Sequence, residues 1–331
     1  MSRNLCITSA DGQTGHLVAE LLLTDERFGS KLASLVLLAQ DTSKLADLDT
    51  QMEPGFPQVT VVEHVPGDAS ALASLLKEGE VDTIFVIPPA SEDKMALTQE
   101  MVDAVREAGV RNVVLLSAAG CEYADPGKQP HLREFIDIEA MVLKNKGDTS
   151  TEAGHSPCVI RAGFYAENLL LYTEQAKSTG TLPLPIGSAH KFAPVALGDV
   201  AHVAAHVLTE EGPHGLSDKH RGQLIVLTGA MMTSGEELAA AASQALGAEI
   251  KFKAISNDEA LKILKPAEIS EYEKNFLLEY YALVREGKTN YVSTIAYGAI
   301  TGEKSATLPT EFFKTYAQEF KPKRTRCASS P

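Results

Sequence analysis

Residues 5–15, Leu5-Cys6-Ile7-Thr8-Ser9-Ala10-Asp11-Gly12-Gln13-Thr14-Gly15, constrain the fold more than any other stretch. An apolar strand pattern runs into a turn with two glycines three apart, and Leu17, Val18, Leu21 and Leu22 then recur at helical spacing. A strand, a tight turn and a helix in that order open a dinucleotide-binding unit. The glycines let backbone approach a pyrophosphate, and the positive end of the helix faces it. The first small position is Ser9, so the motif reads S-x-x-G-x-x-G. Glycine turns also arise for packing alone, so the elements that follow decide its meaning.

Apolar strand patterns over 4–9, 34–39, 59–63, 82–87, 112–117 and 157–161 alternate with helical patterns over about 14–24, 70–78, 92–108 and 134–145. Such alternation implies right-handed crossovers and a parallel sheet, an α/β fold of the Rossmann-type, doubly wound kind. Ligands on these sheets bind outside the carboxyl ends of the strands. Ser9, Gln40, Pro88, Ser117 and Arg161 all fall at or near such ends and converge on one crevice.

After residue 162 the rhythm breaks. Residues 171–195 read as loop, Asp199 opens a helix from Val200 to Leu208, and 224–227 reads as a strand. A helix over 235–246 stops at Gly247, and 258–286 reads as helical, acidic and apolar by turns. The expected organisation is a dinucleotide-binding domain over 1–162, a smaller, mostly helical C-terminal lobe over 163–320, and a flexible tail over 321–331. Segments near 196–230 are expected to return to the main sheet.

The chain resembles the NmrA-like branch of the atypical short-chain dehydrogenase/reductases along nearly its whole length. Thr8–Gly15 stands where that family has T-G-A-T-G-x-T-G, and Gly67-Asp68 matches its G-D after the third strand. Val81–Pro89 is similar to its fourth strand with a proline pair, and Ala108–Ser117 to its A-G-V-x-x-V-V-x-x-S. Ile160–Leu170 is similar to its L-R-P-G-x-x-x-E-N-L-L.

The resemblance implies a bound NADP or NAD. The loop formed by Ser9, Asp11, Gly12, Gln13, Thr14 and Gly15 would hold the pyrophosphate, Asp68 would meet the adenine, and Pro88, Pro89, Ala90 and Ser117 would flank the nicotinamide. Asp68 has a second reading as the N-cap of the helix over 70–78. NADP-dependent relatives carry arginine where this chain has Gln40, because a guanidinium pairs a 2′-phosphate in bidentate fashion. Lys44 could supply that charge, or Asp41 could accept from a free 2′-hydroxyl, or all three could be solvated loop residues. With Gln40 alone, weak discrimination is expected, NADP(H) leading by no more than about 1–2 kcal/mol.

Ordinary short-chain dehydrogenases use Tyr-x-x-x-Lys with a nearby serine; the tyrosine moves the proton and the lysine depresses its pKa. Ser117 fits the serine position, but Tyr123 and Lys128 are five apart. The resembling branch often has a histidine, a lysine four residues later, and then I/V-E. Here His131 and Ile138-Glu139 keep the spacing, with Phe135 in the lysine's place. Three readings follow. Hydride could pass to an electrophile needing little proton help, such as an iminium, enone or quinone. Tyr165, His131 or Arg133 could supply the proton. Or the chain could be a non-catalytic redox sensor or transcriptional regulator acting through a protein partner. Phe164, Tyr165 and Asn168 are expected to meet substrate, and the oxidoreductase reading is preferred.

A formal charge of −14 over 331 residues argues against direct nucleic-acid binding, which needs a basic face. Lys321, Lys323, Arg324 and Arg326 are read as a solvated tail. Cys6 and Cys158 sit in apolar strand patterns and read as small buried hydrophobes, so no disulfide framework is expected. A core strand beginning near residue 5 leaves no room for a signal peptide, and no apolar run reaches membrane length, so a cytoplasmic location is expected. His190, His202, His206, His214 and His220 lack an acidic third ligand on the helix carrying His202 and His206, and no metal is expected.

Overall fold

The computed structural model describes residues 2–48, 57–144, 156–213, 215–289, 294–304 and 306–322. Its centre is a parallel sheet built from β1 (Arg3–Ile7), β2 (Leu32–Ala39), β3 (Gln58–Glu63), β4 (Thr83–Val86), β5 (Asn112–Ala118) and β6 (Cys158–Ala162). A seventh parallel strand, Leu224–Leu227, pairs with β6 at one edge. Across the sheet the order is Leu224–Leu227, β6, β5, β4, β1, β2, β3. The chain reverses direction of travel between β1 and β4, which opens a crevice at their carboxyl ends.

Strand side chains alternate faces, and here both faces are buried. Leu5, Ile7, Leu35, Leu37, Phe85, Val114, Leu116 and Ile160 face one core. There they meet Val18 and Leu22 of the Gln13–Thr24 helix and Val200, Val203 and Val207 of the Leu197–Thr209 helix. Cys6, Val36, Ile84, Val113, Leu115 and Val159 face the opposite core. That layer is covered by the helices Ala69–Glu78, Lys94–Ala108 and Pro130–Leu143. Cys6 and Cys158 are fully buried, as expected of small apolar residues in a central strand.

A third core draws mostly on residues after β6. Phe164, Tyr172, Leu182, Phe192, Leu238, Tyr281 and Phe313 gather there, contributed by segments well apart in the sequence. The Leu197–Thr209 helix packs on one face of the sheet, and the Leu224–Leu227 strand pairs at its edge.

Three expectations differ in detail from what is observed. Residues 171–195 are not plain loop. A helix spans Thr173–Thr179 and a strand Thr181–Leu184 pairs in parallel with Lys251–Ala254. Gly180, taken as a loop signal, is the helix C-cap at φ +64°. Pro183 sits in a two-stranded ribbon, where a missing N–H is tolerated. The stretch 258–286 is two helices, Asn257–Leu264 and Glu271–Arg285. Each opens on a Ser-x-x-Glu capping box, Ser256/Glu259 and Ser270/Glu273, a start signal that the sequence carried twice. The helix expected from 134 starts earlier, with Pro130 in its first turn, and is described to Leu143; residue 145 lies outside the described residues. The tail beyond 322, with Lys323, Arg324 and Arg326, also lies outside them, as does His214.

Candidate functional site

The crevice predicted by the strand order is occupied by one cavity of about 530 Å³. Its lower wall is the loop after β1, with Ser9, Gly12, Gln13, Thr14 and Gly15 all lining it. Gly12 is the N-cap residue of the Gln13–Thr24 helix, so the unpaired N–H groups of the first turn open into the cavity. Gly15 is required by packing: an added Cβ would lie 2.5 Å from the Ser9 carbonyl oxygen and 2.8 Å from the Ala10 Cα. Ser9 holds φ +48°, the left-handed region that favours glycine. Its hydroxyl donates to the Ile87 carbonyl oxygen at 2.8 Å, tying the loop to the end of β4.

Pro88, Pro89 and Ala90 continue the wall beyond β4, and Ser117 and Ala118 close it beyond β5. Ser117 is committed elsewhere as well. Its hydroxyl donates to Glu139 Oε1 at 2.6 Å. Arg161 clamps the same carboxylate with Nε at 2.8 Å and Nη2 at 2.7 Å, and reaches Glu122 at 3.1 Å. This buried ion cluster forms the floor under the serine. The hydrogen bonds to Glu139 raise the Arg161 pKa further, so the guanidinium stays ionised. Burial pushes the neighbouring Cys121 thiol up to about 12, which leaves it protonated and unreactive at neutral pH.

The opposite wall comes from segments that follow β6. Phe164, Tyr165, Glu167, Asn168, Leu170 and Leu171 line it from the segment after β6, and Ile269, Glu273, Phe276, Leu277 and Tyr280 from around the Glu271–Arg285 helix. Backbone bonds from Val195 N–H to the Phe164 carbonyl (2.9 Å) and from Ala166 N–H to the Val195 carbonyl (2.8 Å) fix that segment. Thr14 Oγ1 donates to the Tyr165 hydroxyl at 3.2 Å, so the tyrosine sits directly against the glycine loop. Burial pushes the Tyr165 phenol up to about 12. The hydroxyl therefore remains protonated through the neutral range, able to donate a hydrogen bond and unable to serve as a base. No alkaline limb assignable to Tyr165 is expected in a kcat–pH profile below about pH 10, since its pKa lies well above. A kcat falling with a midpoint near pH 8 in the wild type, and not in Tyr165→Phe, would contradict that protonation state.

His131 is not among the lining residues. Its ring Nδ1 lies 2.5 Å from Glu279 Oε1, and the other Glu279 oxygen accepts from Leu132 N–H at 2.9 Å. The pair docks the Glu271–Arg285 helix onto the start of the Pro130–Leu143 helix. Tyr123 is half exposed and, like Lys128 and Arg133, lies outside the lining. Phe135 does line the cavity, and its ring receives a cation that spacing in the sequence did not reveal. Lys94, 1% exposed, places its ammonium 4.1 Å from the Phe135 ring centroid and 5.1 Å from that of Tyr272. It also donates to the His131 carbonyl at 2.8 Å and pairs with Glu134 at 2.9 Å. Burial pulls its pKa below the ordinary lysine value. The charge missing at position 135 is thus present behind the ring, supplied by another helix, and does not itself line the cavity.

Just beyond the carboxyl end of β2, Gln40 and Lys44 are exposed. Asp68 caps the Ala69–Glu78 helix, accepting from Ala71 N–H at 2.8 Å, while its own N–H donates to Glu100 at 3.2 Å. An exposed N-cap carboxylate can still meet an adenine amine, so the capping role and the ligand role are compatible. Among the described residues no group of three or more His, Cys, Asp or Glu side chains could hold a metal ion, and no helix is long and apolar enough to cross a membrane.

Comparison with known proteins agrees with this geometry. The chain is 27% identical over 244 residues to an NAD(P)H azoreductase of Xenophilus azovorans, covering 73% of this chain and 78% of that protein. It is 25% identical to the prestalk A differentiation protein A of Dictyostelium discoideum, covering 99% and 96% of the two chains. Among solved structures it resembles the NADPH complex of the quinone oxidoreductase QOR2 from Escherichia coli, with a TM-score of 0.75 at 22% identity over 94% of this chain and 99% of that one. The NADP(H) complex of Citrobacter triphenylmethane reductase gives 0.73 at 21% identity over 95% and 99%. The model of the NmrA-like family matches residues 1–314, and the chain belongs to that family.

Proposed function

We propose that this chain is an NAD(P)H-dependent oxidoreductase that passes hydride to a flat, electrophilic, quinone-like organic substrate. The observation that carries the reading is the continuity of the cavity, from the glycine loop to a wall of Phe135, Phe164, Ile269, Phe276 and Tyr280. A pyrophosphate at the helix N-terminus would direct the nicotinamide toward Pro88, Ser117 and Tyr165, and the apolar wall would stack on a planar acceptor. The dinucleotide supplies the hydride, and this chain holds it, excludes water and presents the acceptor.

No Lys, Arg or His lines the cavity among the described residues. The site is thus better suited to an acceptor already electrophilic than to a carbonyl that needs protonation in step with hydride arrival. Tyr165 would steady the charge with a hydrogen bond, and solvent would supply any proton after transfer. The names of the azoreductase and the quinone and dye reductases among the relatives fit acceptors of that class.

The test is a titration of the intact protein with NADPH, NADH and their oxidised forms, then a screen of quinone, enone and imine acceptors. Turnover with at least one class is expected, with Tyr165→Phe or Asn168→Ala lowering it by about tenfold, the scale of one positioned polar contact. Tyr123→Phe should leave it nearly intact. A strict requirement for Tyr123 would overturn the scheme, and tight cofactor binding with no turnover across the panel would favour the sensor reading.

A further inference from the structure

The loop after β1 and the loop after β2 meet at a single side chain. The Asp11 carboxylate accepts from the backbone N–H of Gln40 at 3.4 Å and from that of Asp41 at 3.1 Å. Those N–H groups stand at the carboxyl end of β2, where a Rossmann unit holds the adenosine ribose. They are the backbone donors best placed to take oxygens of a phosphate on the ribose 2′ position, and a carboxylate already occupies them.

The surrounding charges add to this. Asp41 is the next residue, its own carboxylate turned to Ser43 N–H (3.1 Å) and Ser43 Oγ (2.5 Å). The Ser43 hydrogen bonds, and to a lesser extent the exposed Lys44 charge, hold the Asp41 carboxyl below its ordinary value. His16, nearby on the Gln13–Thr24 helix, lies 3.3 Å from Asp47. Gln40 brings no charge. A 2′-phosphomonoester, with about −1.5 to −2 charge at pH 7, would meet like charge and occupied donors. A free 2′-hydroxyl would meet acceptors it can donate to.

We infer that Asp11 is a specificity-determining residue that selects NAD(H) over NADP(H), reversing the slight lead that Gln40 alone would leave to NADP(H). This rests on the Ser9–Gly15 loop holding the dinucleotide. Asp11→Asn keeps the shape and removes the charge, and Asp11→Ser opens the donors altogether.

The experiment is a calorimetric titration of the full chain with NADH and with NADPH at one fixed, physiological ionic strength. It is run on wild type, Asp11→Asn, Asp11→Ser and Gly12→Asp, each checked for folding by thermal melt. Wild type is expected to bind NADH more tightly. Each Asp11 variant should move the NADPH-to-NADH affinity ratio toward NADPH by about tenfold, the scale of one like-charge contact at a half-exposed site. Wild type binding NADPH more tightly, or a ratio unmoved in both Asp11 variants, would overturn the inference. If Gly12→Asp retained both affinities, the loop assignment would fall and this inference with it. Loss of both in Gly12→Asp beside an unmoved ratio would overturn the preference alone.

Discussion

Gly12→Asp is expected to abolish dinucleotide binding while the protein stays folded. Gly12 is the N-cap of the Gln13–Thr24 helix, with φ −84° and ψ 160°, a conformation any residue adopts. Aspartate is a favoured N-cap, so the new carboxylate would satisfy first-turn N–H groups and complement the helix dipole. The added Cβ would come 3.3 Å from the Ser9 carbonyl oxygen, which asks the loop to give by a few tenths of an ångström. What stabilises the helix is what excludes the ligand. The side chain takes the donors meant for the pyrophosphate and sets a negative charge against it. Affinity for NADH and NADPH should fall by at least about 100-fold, with the melting temperature within a few degrees of wild type. Binding within threefold of wild type would remove the loop from the cofactor site.

The second large effect is on stability. Arg161 and Glu139 are both buried under the cavity, joined by two hydrogen bonds of 2.8 and 2.7 Å. Breaking one side of a buried pair leaves an uncompensated charge, so Glu139→Gln should cost about 3–5 kcal/mol, read from urea unfolding at pH 7. The lower end is expected, because Glu122 still reaches Arg161 at 3.1 Å. Glu122→Gln removes a partner with a side chain 27% exposed and should cost no more than about 1 kcal/mol. Equal costs for the two variants would mean that the cluster is not organised around Glu139.

Much of this was legible in the sequence because the signals were local. Apolar runs alternating with helical patterns mark the six strands of the first half, and Leu224–Leu227 reads as a strand over the residues observed. Ser9, Gly12, Gln13, Thr14 and Gly15 of the glycine loop, the proline pair after β4, and Phe164, Tyr165, Glu167 and Asn168 line one cavity. The two Ser-x-x-Glu boxes, at Ser256 and Ser270, are equally local and mark where the two helices of the 258–286 region begin. What local pattern could not give was contact between distant segments. Lys94 reaches Phe135 from a different helix, and Glu279 holds His131 across 148 positions. The Asp11 contact with the β2 loop spans 29 and 30 positions and exists only once β1 and β2 are paired. Each depends on the packing of whole elements, which no spacing rule encodes.

Transfer of a labelled hydride tests the proposed chemistry most directly. Reduced dinucleotide of the preferred type, deuterated at C4 of the nicotinamide on the transferred face, is incubated with the protein and an enone or iminium acceptor. The product is then analysed by mass spectrometry. Direct transfer within the cavity predicts one deuterium on the acceptor's electrophilic carbon, retained in ordinary water, with loss of signal in Gly12→Asp. Product formed without deuterium on carbon, or no product from a protein that binds the dinucleotide tightly, would contradict hydride transfer as the function of this site.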